Sequence, residues 1–336
     1  MNKSKVAVWG TGAMGRGIIE LVQSKNSLQL VGVVARRSDK EGMDVGEALG
    51  FKEKVGVKVE TKAGEMLKRE KPDILLHSTC SKTSEAFPEI MTALEEGVNV
   101  ITIAEEMAFP WYKEPELSVK LDNYAREKGL RILGTGVNPG YILDLLIITL
   151  TGASHSIKSI HAKRVNDLSP FGPSVMKTQG VGTTIDEFNR GMKDGTVVGH
   201  FGFPESISMI SKALGWKIDH IEQEREPIIS SVYRETPYVK VQPGMVAGCK
   251  HISRGYVGGE VKIYLEHPQQ IHPHLEGVET GDYIQIEGVP PVNFVNKPEF
   301  PGGLATIALA VNMVPLVLKA PVGLLTMADL PVPRLL

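Results

Sequence analysis

Two rhythms of apolar and polar positions run along the chain, and one gives way to the other near Ser159. In the first part, short continuous apolar runs alternate with helical spacings. Lys5–Trp9, Leu28–Val34, Val55–Val59, Asp73–Ser78, Val98–Ile103 and Leu130–Leu133 are predicted as buried strands. Arg16–Val22, Ala63–Arg69, Phe87–Glu96 and Leu117–Lys128 are predicted as the helices between them, and Tyr141–Leu150 follows as an apolar helix. Such alternation implies right-handed strand–helix–strand units and a doubly wound parallel sheet. Beyond Ser159 the runs shorten and become rich in β-branched residues. Ile160–Val165, Ile228–Val232, Tyr238–Val241, Val246–Ile252, Gly258–Glu266 and Tyr283–Glu287 are candidate strands, with helices at Thr184–Lys193 and Phe203–Leu214. An open, mostly antiparallel sheet is expected there. The apolar run Leu304–Lys319 is too greasy for a free helix, so it is expected to pack on the first domain or on a second subunit, with Gly323–Pro333 closing the chain.

Length and charge narrow the classes. The chain has 336 residues, room for two domains of roughly 150 residues each. Thirty-seven basic against thirty-nine acidic side chains leave no surplus that would point to nucleic acid or an anionic membrane. Two cysteines, Cys80 and Cys249, cannot build a disulfide framework or by themselves complete a four-ligand zinc site. The longest apolar stretch, Ala305–Leu318, is interrupted by Asn312 and Pro315 and is too short to span a bilayer. With a strand-like VAVWG so near the N-terminus, no secretory segment is expected and the cytoplasm is the expected compartment.

The candidate chemistry lies at strand ends. The first strand runs into Gly10-Thr11-Gly12-Ala13-Met14-Gly15, and a helix follows. A GxGxxG in that context is a dinucleotide fingerprint. The first glycine allows a tight turn, the second lets a pyrophosphate approach the backbone, and the third lets helix and strand pack closely. The fold class is therefore α/β: a Rossmann-type doubly wound parallel sheet with a second α+β domain built on an open, mostly antiparallel sheet. Residues 1–140 form the nucleotide domain, 141–301 a substrate and dimerisation domain, and 302–336 a returning helix and tail.

An NAD site usually ends its second strand on an acid that holds the ribose 2′-OH. Here Arg36, Arg37 and Ser38 stand in that place, which suits a 2′-phosphate and favours NADP over NAD, with Asp39 reaching the ribose as the other reading. Ser78 and Thr79 are small enough to admit the cofactor, or else cap the next helix. Glu105 and Glu106 directly follow an apolar strand, where a carboxylate could stabilise a cationic imine or take a proton from water. Neighbouring side chains diverge, so one of the two is expected to face the site, with Glu105 preferred; both could instead cap the following turn. Asn138 and Pro139 lie in the glycine-rich loop Gly134–Gly140, where Asn138 could bind the nicotinamide carboxamide or stabilise a turn. Arg164, Lys177 and His200 are candidate anion-binding groups. The other histidines of this half are expected in exposed loops. Gln270-Ile271-His272-Pro273-His274 lacks the spacing of a known metal site, and no metal is expected.

The segments VAVWGTGAMGRG, ITIAEEMAFPW, GTGVNPGYILDLL and APVGLLTMADLPVPR together resemble the 2,4-diaminopentanoate dehydrogenases, within a wider dihydrodipicolinate-reductase-like group that includes amine dehydrogenases. The His-His-x-x-Lys stretch and DAPSGTA loop of true dihydrodipicolinate reductases are missing, since Lys163-Arg164-Val165-Asn166-Asp167 and Ser169–Ser174 stand there instead. The resemblance implies reversible NAD(P)-dependent oxidative deamination of 2,4-diaminopentanoate at C4, a step of ornithine degradation, with Glu105 or Glu106 matching the catalytic glutamate. Its carboxylate would need a cation such as Arg164 or Lys177. Two other readings compete: an amine dehydrogenase acting on simple ketones or amines, and a non-catalytic NADP-binding sensor. A small-molecule amine and a second copy of the chain, as a homodimer, are the expected partners.

Overall fold

The computed structural model describes residues 3–336. It divides into two compact units, residues 3–141 with 301–336, and residues 142–300.

The first unit opens with β1 (Ser4–Trp9), α1 (Ala13–Ser24) and β2 (Leu28–Val34). It continues through α2 (Val45–Leu49), β3 (Val59–Glu60), α3 (Ala63–Glu70), β4 (Ile74–His77), α4 (Thr83–Glu95), β5 (Asn99–Thr102), α5 (Pro115–Lys128) and β6 (Arg131–Gly134). The strands are apolar because both faces are covered: β4 is buried along its whole length. Helices face the sheet with one stripe, as α1 does with Ile18, Ile19 and Val22. The predicted strand Val55–Val59 shrinks to β3 and one bridge between Asp44 and Lys58. The carboxylate of Asp44 causes this irregularity. It accepts from the backbone N–H of Gly46 at the start of α2 and from those of Val55 and Gly56, so residues 55–56 serve a side chain instead of a ladder.

The second unit comprises α6 (Leu145–Thr151), β7 (Ser156–Asp167), α7 (Pro173–Thr178), α8 (Ile185–Asp194), α9 (Phe203–Leu214), β8 (His220–Ile229), β9 (Arg234–Glu235), β10 (Lys240–Val241), β11 (Val246–Val257), β12 (Glu260–Gln270), β13 (Gly281–Val289) and β14 (Val292–Asn296). Its main sheet has the order β14-β13-β7-β12-β11-β8. Only the β7–β12 pair is parallel. The expected helix from Tyr141 begins instead at Leu145, where Asp144 accepts from the Leu145 N–H as its cap. Strand β8 extends from His220, well ahead of the expected Ile228. Its Glu222 and Glu224 carboxylates reach Tyr256 and Arg254 of β11, and these cross-strand pairs hold a charged edge strand that apolar patterning does not reveal.

The chain then returns to the first unit as α10 (Gly302–Asn312), α11 (Val314–Val317) and β15 (Gly323–Leu325). The single predicted helix Leu304–Lys319 is split at Met313, ahead of Pro315, which has no N–H to continue the ladder. Helix α10 packs on α1, where a Cβ on Gly17 would come within 2.3 Å of Ile307 Cδ1. Strand β15 pairs parallel with β6, completing a seven-stranded parallel sheet of order β15-β6-β5-β4-β1-β2-β3. Successive strands run outwards in opposite directions from β1 and β4, so the carboxyl ends of these two neighbours form the switch point where such sheets bind ligands. No helix among the described residues is long and apolar enough to cross a membrane.

Candidate active site

Gly10 leaves β1 with φ +128°, in the region that favours glycine. A Cβ there would sit 2.4 Å from Ser78 Oγ and 2.8 Å from the Ser78 carbonyl oxygen, so the turn after β1 lies directly against the end of β4. Gly15 is equally constrained, since its Cβ would meet the Gly10 carbonyl oxygen at 1.9 Å. Gly12 differs. A Cβ on it would find no atom within 4 Å, and as the N-cap of α1 it offers no side chain to the helix's leading N–H groups. The first turn of α1 holds no acidic residue. Open space above unpartnered helix N–H groups fits a pyrophosphate.

A groove of about 350 Å³ runs from this turn, lined by Gly10, Thr11, Gly12, Arg36, Arg37, Asp39, Lys40, Ser78 and Thr79. Ser38 opens the single turn Ser38–Lys40 that shapes the rim. Lys40 was not singled out from sequence, although it shares a turn with Arg36 and Arg37. Arg36 departs from the expected free cation. Its Nε donates to Glu89 Oε1 at 2.9 Å and its NH2 to Thr79 Oγ1 at 3.2 Å. The other oxygen of Glu89 accepts from His77 Nε2 at 2.6 Å and from the Thr79 hydroxyl, while His77 Nδ1 lies 2.8 Å from Thr102 Oγ1. Burial alone would raise the Glu89 carboxyl, but bonds from His77, Arg36 and Thr79 bring it down to about 2. Thr79 thus belongs to a side-chain network rather than capping a helix. Cys80 borders it, and burial pushes its thiol up, away from nucleophilic use.

Past β5, the two glutamates part company. Glu106 is buried and structural: its Oε2 accepts from the backbone N–H of Thr83, the first residue of α4, at 2.9 Å, and its Oε1 pairs with Lys113. Glu105 is held differently, by its own backbone N–H and the Ser81 hydroxyl. Burial raises its carboxyl, opposed by these two bonds, and the charge of Glu106 raises it further. A carboxylate poised nearer neutrality at a strand's carboxyl end can exchange protons with substrate or water.

The loop Gly134–Gly140 is tightly drawn. A Cβ on Gly134 would meet the Met107 carbonyl oxygen at 1.9 Å, and one on Gly140, at φ +123°, would meet Gly136 N at 2.5 Å. Asn138 precedes Pro139 across a cis peptide bond. The flanking Val137 N–H donates to Thr306 of α10 at 3.1 Å, and the Thr135 hydroxyl to Met327 Sδ at 3.1 Å, so the returning segment fixes this loop.

In the second unit the expected anion-binding groups are only partly gathered. Arg164 is buried, with NH1 paired to Asp282 and NH2 donating to the Phe300 carbonyl, so it is not a free cation. His200 lies beside it. Its backbone N–H donates to His251 Nδ1 at 3.0 Å, and its ring meets that of His267 at 4.9 Å. His251 and His267, expected in exposed loops, are buried opposite one another on β11 and β12. Each continues the inward phase of its strand, His267 after Ile263 and Leu265, and that alternation was the signal available for it. Burial, with the nearby Arg164, takes His200 down to about 3. Burial, with Arg225 and His200, takes His251 to about 2. The Nε2 atoms of His200 and His251 are buried without a hydrogen-bond partner among the described residues. Lys177 lies elsewhere: exposed on α7, it lines a separate cavity with Arg190, Glu187 and Asp194. His272 and His274 do approach Asp167, their potential ligand atoms within 4.8 Å of one another, but the buried Arg234 guanidinium beside them opposes a cation.

Comparison with known proteins places the chain among dehydrogenases. A family model described as the 2,4-diaminopentanoate dehydrogenase C-terminal domain matches residues 141–336, and one described as dihydrodipicolinate reductase, N-terminus, matches residues 4–102. The chain is 47% identical to a 2,4-diaminopentanoate dehydrogenase of Acetoanaerobium sticklandii, covering 99% of this chain and 95% of that protein. It is 26% identical to an amine dehydrogenase of Streptomyces virginiae, covering 96% of this chain and 95% of that one. A solved amine dehydrogenase from Mycobacterium smegmatis superposes with a TM-score of 0.87 at 29% identity, covering 98% of this chain and 97% of that structure. Fold, glycine cradle and relatives define an oxidoreductase of the Rossmann-type dehydrogenase class, acting on amines. Within that class the chain belongs to the 2,4-diaminopentanoate dehydrogenase family.

Proposed function

We propose that this chain catalyses reversible NAD(P)-dependent oxidative deamination of 2,4-diaminopentanoate at C4, giving 2-amino-4-oxopentanoate, ammonia and reduced cofactor. The observation that carries the reading is the separation of the two glutamates: Glu106 is tied to α4 and Lys113, while Glu105, its carboxyl raised by burial, remains for chemistry. The cofactor's pyrophosphate is assigned to the open space at Gly12 and the α1 N-terminus, and its adenosine end to the groove at Arg36, Arg37 and Lys40, with NADP favoured over NAD. A nicotinamide cofactor held there would supply the acceptor for the hydride that leaves the amine-bearing carbon. Ionised Glu105 stabilises the iminium left on the substrate and then removes a proton from the water that adds to it. Ammonia leaves as the carbonyl forms, and the released protons pass to the amine and to solvent. A second copy of the chain, in a homodimer, is assigned as its macromolecular partner.

Reduced cofactor should appear with 2,4-diaminopentanoate and fail to appear with ornithine or with an amine lacking a carboxylate, when each is offered with NAD and with NADP. Turnover of the plain amine at a comparable rate would replace this reading with that of a broader amine dehydrogenase. Tight nucleotide binding without turnover of any amine would favour the sensor.

A further inference from the structure

We propose that Glu89 sets this chain's discrimination between NAD and NADP, by holding the Arg36 guanidinium across the groove and cancelling its charge before any 2′-phosphate can meet it. The proposal rests on assigning that groove to the adenosine end of a dinucleotide, and it deepens that reading by naming a residue outside the fingerprint.

Arg36 at the end of β2 is the cation that sequence assigns to a 2′-phosphate. Its Nε is nevertheless held by Glu89 Oε1 at 2.9 Å and its NH2 by Thr79 Oγ1 at 3.2 Å. The carboxylate cannot follow Arg36 towards a ligand. Its second oxygen is anchored by His77 Nε2 at 2.6 Å and by Thr79, and His77 is itself fully buried and held to Thr102. The Arg36 side chain is 49% exposed and that of Glu89 14%, so the pair presents guanidinium outwards with its counter-charge fixed beneath. A 2′-phosphate brings close to two negative charges and is best bound by an Arg fork with free donors. Here one donor edge is occupied, and the phosphate must either share the guanidinium with a fixed carboxylate or draw it away and leave Glu89 without its cation. A 2′-hydroxyl faces neither cost. Arg37 and Lys40 on the same rim supply the attraction that keeps NADP usable, so the chain is expected to take both cofactors, with Glu89 restraining its preference for NADP.

The test measures dissociation constants of NAD and NADP by titration calorimetry on the intact chain and its Glu89→Gln variant. Releasing Arg36 is expected to shift the affinity ratio about tenfold towards NADP with NAD binding within threefold of the parent. In a Glu89→Gln/Arg36→Gln double variant that gain should vanish. A ratio that stays put, or equal weakening of both nucleotides, would overturn the proposal while leaving the groove assignment intact. Failure of the parent chain to bind either nucleotide would overturn both. Should Glu89→Gln fail to fold, Glu89→Asp keeps the charge beside His77 and Thr79 but loses a methylene of reach to Arg36. It should shift the ratio in the same direction by at least about twofold, and an unchanged ratio there overturns the proposal equally.

Discussion

Adjacent residues of identical chemistry can hold opposite offices, and Glu105 and Glu106 are such a pair. Glu106 acts as the acceptor that the first turn of α4 lacks, because its N-cap Lys82 provides no side-chain cap. Replacing it with alanine removes the partner of the Thr83 N–H in a buried place and is expected to cost roughly 1–3 kcal/mol of stability, with any loss of turnover recovered below the melting range. Glu105→Gln is expected to lower turnover by about 10²–10⁴ with nucleotide affinity retained. Its stability effect has a definite sign. A carboxyl raised by burial stabilises the fold only while protonated, below the unfolded pKa, and that contribution is lost as pH rises through the folded value. The glutamine variant should therefore match the parent in acid and be the more stable of the two near neutrality. Chemical denaturation at several pH values, alongside steady-state kinetics, separates these outcomes. Two variants with near-normal turnover would remove the carboxylate mechanism. Sequence could place this pair at a strand end and prefer one of them. It could not show the choice, because Thr83 and Lys113 become neighbours of Glu106 only through the tertiary fold. The same holds for Glu89, whose partners Arg36, His77 and Thr79 come from two other strand ends.

Elements were legible where burial imposes a single period. Strands β1, β2, β4, β5 and β6 are apolar because they are covered on both faces, and the sequence reads accordingly. Strand β8 was largely missed because its outward charges pair across the ladder with Arg254 and Tyr256. Inside the second unit's sheet lies a buried polar row that composition alone reads as surface. Arg225 of β8 stands opposite His251 of β11, and His251 opposite His267 of β12, while Arg164 of β7 stands opposite Asp282 of β13. The histidines stay neutral because burial and the flanking guanidiniums both disfavour another positive charge. The unfolded chain protonates them near the ordinary value of about 6.5, whereas folded His200 resists to about 3 and His251 to about 2. The unfolded state therefore binds more protons in that window, and stability falls as pH drops through it. His251→Gln should flatten the fall between neutrality and mild acid by up to roughly 1.4 kcal/mol per pH unit, read from urea midpoints. An unchanged slope would mean that His251 carries its proton in the folded state.

The first unit is discontinuous, and its chemistry depends on chain that arrives only after the second unit has been made. An apolar run too greasy for the surface signalled the return in sequence, but β15 did not, since three residues, Gly323–Leu325, are too short to show a period. That short strand pairs with the edge of β6, and Gly323 at φ +124° enters where a Cβ would lie 2.5 Å from Asp122 Oδ1. Helix α10 covers α1 at Gly17, and Thr306 and Met327 hold Val137 and Thr135 on the loop that carries Asn138. The return therefore buttresses both the helix behind the glycine cradle and the glycine-rich loop after β6. Deleting residues 301–336 should abolish NAD and NADP binding and leave slow hydrogen exchange confined to residues 142–300, whose sheet takes no strand from the return. Peptide-resolved exchange measures this directly. Persistent protection of β1, β4 and β5 together with retained nucleotide affinity would show that the first unit closes without its C-terminal segment. Loss of protection throughout the chain would instead make the second unit's stability depend on the first.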